Sequence, residues 1–368
     1  MSSVLTALST RPRAARPARL ATLATGVALL LAACSGAPAA DPTPAAAVTK
    51  APVIEAAKAA PPAPVVQPRW PLTGVAAGDV PVRPALAIKI ENSADARPQT
   101  GLDQADVVWE EVVEGGITRF VAVYHSQVPD EVGPIRSVRP MDPAIAAPLR
   151  GLIAFSGGQT AFVQALKSSG LQILSQDQGA AGFYRKKGVG PAPHNVYGTP
   201  ATFWGAADGA HQAAPPTQFS FARDAAQATA LVSGSPVSTL SVRMSGYSHP
   251  TWTWDAGSST FLRSEGSTPA TVRSGARLAA TNVVTVMVQL RDSGTKDPAG
   301  NPVPETLLDG SGAATVSTGG KTVPATWSKS AQDAPLALTA ADGTAITLAP
   351  GTTWVELVPQ ASGAVTAG

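Results

Sequence analysis

The first 69 residues constrain most strongly what this chain can fold into. They hold an apolar run, the only cysteine and a proline-rich stretch, in that order. Residues 20–33 are uncharged and mostly apolar, and a basic segment with Arg11, Arg13, Arg16 and Arg19 precedes them. This is the layout of a secretory signal peptide. As a helix the run spans about 21 Å, too short for the roughly 30 Å apolar core of a bilayer. We therefore predict that residues 1–33 are a signal peptide.

The single cysteine, Cys34, follows Leu31-Ala32-Ala33 and precedes Ser35-Gly36. This arrangement resembles a bacterial lipoprotein signal, in which the cysteine is acylated with palmitate-like chains and becomes the new N-terminus. The alternative is ordinary secretory cleavage beside an incidental cysteine. Two acyl chains anchor a protein stably. We predict an exported protein anchored through Cys34 to the outer face of the cytoplasmic membrane. One cysteine also excludes an intrachain disulfide and a cysteine-based zinc site.

Composition divides the rest of the chain into segments. Residues 34–69 are rich in alanine and hold eight prolines, which predicts a disordered linker that carries the lipidated Cys34. Residues 70–212 mix strand and helix patterns, and residues 213–235, with Pro215-Pro216, form the predicted connector. From residue 236 to 360 the helical period vanishes and short strand-like runs remain. The remaining length suits two domains.

The charge balance excludes one class of partner. Lysine and arginine number 27 and acidic residues 25, but four of the arginines lie in residues 1–33, which leaves 23 basic against 25 acidic residues. No basic run follows residue 19. A nucleic-acid-binding protein needs a positive patch, so nucleic acid is not an expected partner.

A region of mixed strands and helices followed by a region of strands alone predicts an α+β fold. Leu152–Phe155, a helix over about 159–168 and Leu171–Leu174 form a βαβ unit. Val107–Glu114 and Ile117–Tyr124 form a hairpin around Gly115-Gly116.

The hairpin holds the first candidate site residues. A two-residue turn would place Glu110, Glu114 and Arg119 on one face, where they would form either a stabilising ion-pair cluster or a ligand-facing site. The two carboxylates would be about 13 Å apart, too far for a glycosidase pair.

Two further segments add candidates. Arg136, Ser137 and Arg139 follow Gly133-Pro134, and the two guanidiniums could bind a carboxylate or phosphate or could pair with nearby acids. A loop rich in glycine and proline holds Arg185, His194 and Asn195, in which His194 is either a general base or a hydrogen-bonded loop residue. The sequence shows no recognisable nucleophile, metal-ligand spacing or cofactor motif, which favours a binding protein over an enzyme.

Many separated motifs match one family in order. They include Pro71-Leu-Thr-Gly74, Arg83-Pro84, Ile90-Glu91-Asn92, Glu114-Gly-Gly-Ile-Thr-Arg119-Phe120, Gly133-Pro-Ile-Arg136-Ser137-Val-Arg139, Pro193-His194-Asn195, Thr326-Trp-Ser-Lys329 and Gly351-Thr-Thr-Trp354. The chain resembles the YerB-like lipoproteins over about residues 70–360. The resemblance implies a two-part domain of unknown function, with an N-terminal layered α/β sandwich and a β-rich C-terminal domain. It implies no activity.

The resulting hypothesis is a lipid-anchored binding protein with a polar cleft for a cell-envelope ligand. The balanced charge of the candidates suits a zwitterionic or carboxylated ligand such as a wall glycopeptide. One alternative is an envelope hydrolase or transferase that uses His194 with a carboxylate. Another is a scaffold that binds an envelope protein. The ligand-binding candidates are Glu110, Glu114, Arg119, Arg136, Ser137, Arg139, Arg185, His194 and Asn195.

Overall fold

The structure, a computed structural model, describes residues 66–368. The predicted signal peptide, Cys34 and the linker up to Val65 lie outside the described residues. Strands dominate, and helices are few and short.

The strands in chain order are β1 (Leu86–Glu91), β2 (Val107–Val112), β3 (Thr118–Tyr124), β4 (Leu152–Phe155), β5 (Gln172–Ser175), β6 (Phe183–Arg185), β7 (Val196–Gly198), β8 (Ser235–Pro236), β9 (Thr239–Arg243), β10 (Pro250–Asp255), β11 (Thr260–Glu265), β12 (Thr268–Pro269), β13 (Ala279–Ala280), β14 (Asn282–Lys296), β15 (Pro302–Leu307), β16 (Gly310–Thr318), β17 (Lys321–Lys329), β18 (Ala337–Thr339), β19 (Thr353–Pro359) and β20 (Ala364–Ala367). The α-helices are α1 (Asp142–Ala146), α2 (Thr160–Ser168), α3 (Pro200–Gly205) and α4 (Thr229–Ser233).

One large sheet runs through the molecule in the order β18-β17-β16-β14-β19-β2-β3-β1-β4-β5. The predicted βαβ unit is confirmed, because β4 and β5 pair in parallel and α2 connects them. The C-terminal region is strand-rich as predicted, since every regular element after Ser235 is a strand.

The strand order joins the two predicted halves. Strand β19, near the end of the chain, pairs in parallel with β2 on one side and with β14 on the other. The large sheet therefore continues across the connector predicted at residues 213–235.

The strands bury side chains on both faces of the large sheet, which explains why β1, β2 and β3 are buried throughout. One face carries Ala87, Val121 and Ile153 and packs against α1 and α2. The opposite face carries Ile88 and Phe120. A second sheet, of order β12-β11-β10-β9-β20, packs on this opposite face. We call the face of the large sheet that packs against α1 and α2 the helix face, and the face that packs against the second sheet the sheet face.

Candidate functional site

Three parallel strands end at the same edge of the large sheet. Strand β4 pairs in parallel with both β1 and β5, so their carboxyl ends lie together. Strand β3 runs antiparallel to β1 and begins at this edge, where Glu91 pairs with Arg119. Ligands of open α/β sheets bind at the carboxyl ends of parallel strands. We call the side chains gathered here the polar edge: Glu91, Glu114, Arg119, Arg136, Arg139 and His194.

Arg119 is buried in the polar edge without a close counter-charge. One guanidinium nitrogen, Nη1, donates to the Ser137 carbonyl oxygen at 2.9 Å, while Nε is buried and has no partner among the described residues. No carboxylate oxygen of a described residue lies within 4.0 Å of this guanidinium. Burial, and then the charge of Arg139, lowers the Arg119 pKa to about 10, so the side chain remains charged at neutral pH.

Glu91 connects three neighbours at the edge. Its Oε1 accepts a hydrogen bond from the Ser93 hydroxyl at 3.0 Å and lies 2.9 Å from His194 Nδ1. Its Oε2 lies 3.2 Å from Arg136 Nε. Only 2% of the Glu91 side chain is exposed, against 20% for each of His194 and Arg136, so the acid lies beneath the two basic groups.

Glu114 and Arg139 form a two-pronged ion pair beside Arg119. Arg139 Nη2 donates to one carboxylate oxygen at 2.7 Å, and Nε donates to the other. Both carboxylate oxygens of Glu114 are thereby bound. Glu114 consequently acts on Arg119 through its charge alone, without a direct contact.

A second charged group lies deeper on the helix face. Lys89 is fully buried and its ammonium contacts Glu111 and Asp142, the latter at 2.7 Å. Burial, and then the charge of Asp142, raises the pKa of Glu111 to about 7. Glu111 is the cross-strand neighbour of Arg119 in β2 and β3, and one of its carboxylate oxygens is bound to Lys89 while the other has no hydrogen-bond partner among the described residues. Glu111 therefore acts on Arg119 through its charge, without a direct contact.

The predicted hairpin register is wrong by one residue. Glu114, Gly115 and Gly116 form a three-residue turn in which the Val113 N–H donates to the Ile117 carbonyl at 2.9 Å. The two glycines adopt φ values of 67° and 75°, which glycine accommodates without steric cost.

A shift of one residue moves a strand's side chains to the other face. Glu111 therefore opposes Arg119, and Glu110 opposes Phe120 on the sheet face. The prediction that Glu110, Glu114 and Arg119 share one face is thus wrong for Glu110. That residue is fully buried under the second sheet and pairs with Arg263 at 2.6 Å.

The remaining predicted residues are divided between two places. Ser137 contributes its carbonyl oxygen to Arg119, which places it at the polar edge. Arg185 in β6 and Asn195, which immediately precedes β7, pair with each other through Nη1 and Oδ1 at 2.7 Å. The structure thus brings Glu114, Arg119, Arg136, Ser137, Arg139 and His194 together. Arg185 and Asn195 make no hydrogen bond to those side chains among the described contacts.

Sequence reasoning missed the acid at the centre of the edge and the lysine beneath it. Lys89 and Glu91 occupy alternate positions of the otherwise apolar strand Leu86–Glu91. Charged residues inside a buried strand need partners. Two charged residues at alternate positions of an apolar strand are therefore the sequence signal from which this internal charge cluster could have been predicted.

Other features of the surface offer less chemistry. A cavity of about 790 Å³ lies near Trp70, Phe221 and β18, and Arg69 is the one charged residue in its lining. Arg69 donates to two backbone carbonyls there. Within residues 66–368, no cluster of three metal-ligating side chains is placed to hold an ion. No described helix is long and apolar enough to span a membrane.

Comparison with known proteins decides the family. Residues 72–213 match the N-terminal domain of a protein family of unknown function, DUF3048, and residues 240–355 match its C-terminal domain. The chain belongs to the DUF3048 family. The YerB-like resemblance is confirmed by a sequence match and a structural match that both carry the YerB name.

The first DUF3048 relative is described as "Putative lipoprotein YerB" of Bacillus subtilis (strain 168). It is 32% identical over 128 residues, which cover 34% of this chain and 39% of that protein. The match thus spans about two fifths of the relative's length. The crystal structure of YerB protein from Bacillus subtilis superposes with a TM-score of 0.67 at 22% identity, over 82% of this chain and 100% of that one. This likeness supports the fold alone.

Proposed function

We propose that this DUF3048 protein is exported, anchored to the membrane by a lipid on Cys34, and binds a carboxylated cell-envelope ligand at the polar edge. The observation that carries the binding proposal is Arg119, a charged guanidinium that is 5% exposed and has no described carboxylate within 4.0 Å.

The energetic argument concerns the cost of leaving this charge unpaired. Burying an ionised group is unfavourable unless a partner of opposite charge or several hydrogen bonds compensate it. Arg119 has one hydrogen bond. The charges of Glu114 and Glu91 attract it without contact, while those of Arg139 and Arg136 repel it. An anion that binds at the polar edge would reduce both costs, which favours its binding.

Charge and shape favour a carboxylate over a more highly charged anion. Three guanidiniums of the polar edge face two carboxylates, which leaves one positive charge when His194 is neutral. Arg136 Nη1 and Nη2 make no hydrogen bond to a described residue, so their N–H groups are available beside Arg119. A planar guanidinium matches the two oxygens of a carboxylate.

The anchor proposal rests on the position of Cys34 and on the lipoprotein description of the YerB relative. Cys34→Ala should release the protein or leave it unprocessed without changing its fold. Fractionation of cells that express the variant measures this. A Cys34→Ala protein that is fully processed and still membrane-bound would refute the anchor.

The ligand proposal is tested by calorimetric titration of soluble muropeptides into the purified protein. Arg119→Gln should weaken binding at least tenfold, since hydrogen bonds to charged groups contribute about 1.5–3 kcal/mol. Arg291→Gln is the control, because the Arg291 side chain is 61% exposed and pairs with Glu305 at 2.7 Å, so its guanidinium is neither buried nor without a counter-charge. Equal affinity for wild type and Arg119→Gln, or no binding by the wild type, would contradict the proposal.

A further inference from the structure

The pair formed by His194 and Glu91 has a geometry that the binding proposal does not use. Nδ1 of His194 lies 2.9 Å from Glu91 Oε1, so the carboxylate holds the ring with its proton on Nδ1. Glu91 is itself fixed, because Ser93 binds the same oxygen and Arg136 lies against the other. The second ring nitrogen, Nε2, is then the one that carries a free lone pair.

Nε2 of His194 is open. It makes no hydrogen bond to a described residue and is not among the buried unpaired atoms, so it faces solvent. A carboxylate that orients an imidazole, whose outer nitrogen is free, is the arrangement by which histidine acts as a general base.

His211 provides an internal comparison. Its Nδ1 also lies beside a carboxylate, 2.8 Å from Asp208 Oδ1, but its Nε2 is occupied by the Gly170 carbonyl oxygen at 3.0 Å. His211 is therefore tied at both nitrogens and has no arginine in its described contacts. His194 differs in both respects.

The base lies beside groups that can stabilise negative charge. Glu91, which holds the ring, is the cross-strand partner of Arg119 and the ion-pair partner of Arg136. The base and the Arg136 guanidinium thus contact one carboxylate, and Arg119 lies on the strand position opposite it. Positive groups fixed where an oxyanion develops are a strong source of transition-state stabilisation.

We infer that the polar edge hydrolyses carboxylic esters, with His194 as the general base, Glu91 as its positioning residue, and Arg119 and Arg136 as the oxyanion-binding groups. The inference rests on the proposed function, because the carboxylate that leaves the reaction is the class of anion proposed to bind there.

The reaction balances with water as the only co-reactant. Nε2 of His194 takes a proton from water while the water oxygen bonds to the ester carbonyl carbon, and the carbonyl π electrons move to its oxygen. That oxyanion lies against Arg119 and Arg136. When it re-forms the carbonyl, the bond to the alkoxy oxygen breaks and the Nε2 proton passes to that oxygen. The products are one carboxylic acid, which ionises, and one alcohol.

The test is the release of p-nitrophenol from p-nitrophenyl acetate by the purified full-length chain. The wild type should release p-nitrophenol faster than an equal concentration of free imidazole does. The His194→Gln variant should hydrolyse the ester about 100-fold or more slowly than the wild type, because a general base accelerates such reactions roughly 10²–10⁴-fold. His211→Gln should retain the wild-type rate. Glu91→Gln should lower kcat while circular dichroism shows the native spectrum, and acetate should inhibit competitively.

A second readout does not depend on a folded variant. Proton transfer in the rate-limiting step predicts that the wild-type kcat falls in D₂O. A wild-type rate no faster than imidazole, or His194→Gln as active as wild type, would overturn the inference. Muropeptide binding that needs Arg119, without ester turnover, would refute the hydrolase and leave the binding proposal standing. Loss of both would refute both.

Discussion

Glu110 and Glu111 are neighbours in β2, but their side chains lie on opposite faces of the large sheet and have different counter-ions. Glu110 contacts Arg263, which is fully buried, binds Glu265 as well, and lies 5.1–5.9 Å from the rings of Phe120, Trp252 and Trp354. Both terminal nitrogens of Arg263 thus bind a carboxylate on the sheet face, although its Nε, like that of Arg119, is buried without a partner among the described residues. Arg119, on the helix face, lacks such a partner. Burial alone therefore does not identify a functional arginine; a missing counter-charge does.

At the scale of single residues, we predict that Arg263→Met destabilises the protein by about 3–5 kcal/mol at neutral pH, because the substitution leaves buried carboxylates without their cation. Burial raises the Glu265 pKa, but the stronger combined effect of Arg263 and Arg97 lowers it below the usual value. A depressed carboxyl pKa contributes stability above the unfolded value near 4.5, and that contribution is lost as pH falls. The deficit of Arg263→Met should thus shrink below about pH 4.5. Urea unfolding at pH 7 and pH 4 measures it, and a deficit independent of pH would contradict the assignment.

At the scale of elements, local patterns were enough to predict the βαβ unit and the two strands of the hairpin. They were not enough for the register, because two consecutive glycines permit a two-residue or a three-residue turn and only tertiary packing selects one. Strand β19 was missed since it has no alternating pattern: parallel neighbours and two covered faces bury all seven residues. Residues 344–348, a strand-like run in the sequence, form only isolated bridges, at Ala345 and Leu348.

The candidate site shows the same limit. The sequence identified Arg136, Arg139 and His194, because they stand beside or close to prolines that mark turns, and Arg119, because it follows the double-glycine turn of the hairpin. It did not reveal that Glu91 connects them, since Glu91 reaches His194 across 103 positions of sequence. Such contacts depend on the strand order, which no local pattern contains.

The turn itself can be tested. Gly115→Ala should cost about 1–2 kcal/mol, since φ is 67° and a side chain there is strained although it would meet no atom within 4 Å. Gly115→Asn should cost less, because asparagine tolerates this conformation. Gly78→Ala is the control, with free space and no positive φ. Midpoints of urea unfolding compare the three, and a Gly115→Ala midpoint equal to the control would argue against the three-residue turn.

At the scale of the whole molecule, the shared sheet makes the two family domains interdependent. Strand β2 is covered on one edge by β19, which arrives from the far end of the chain, and the second sheet covers its Glu110 side. Neither sequence half contains both partners of these contacts.

We therefore expect that residues 66–213 and 236–368, expressed separately, do not fold. Each would expose an unpaired strand edge and apolar residues that are now buried. Nuclear magnetic resonance spectra of the fragments would show narrow amide dispersion, which should widen on mixing if the halves assemble. A fragment with a cooperative thermal transition of its own would contradict this expectation.

The central claim is that Arg119 is an uncompensated charge kept for a ligand, and unfolding of Arg119→Met with and without acetate tests it most directly. The lowering of the Arg119 pKa from 12.5 to about 10 corresponds to at most about 3 kcal/mol of unfavourable free energy, and the bond to Ser137 returns about 1 kcal/mol. We predict that Arg119→Met is at least as stable as wild type in chloride. Acetate at the same ionic strength should stabilise only the wild type, as a ligand specific for the native state does. A variant that loses several kcal/mol, together with no effect of acetate on either protein, would place Arg119 in the structural core and contradict the account.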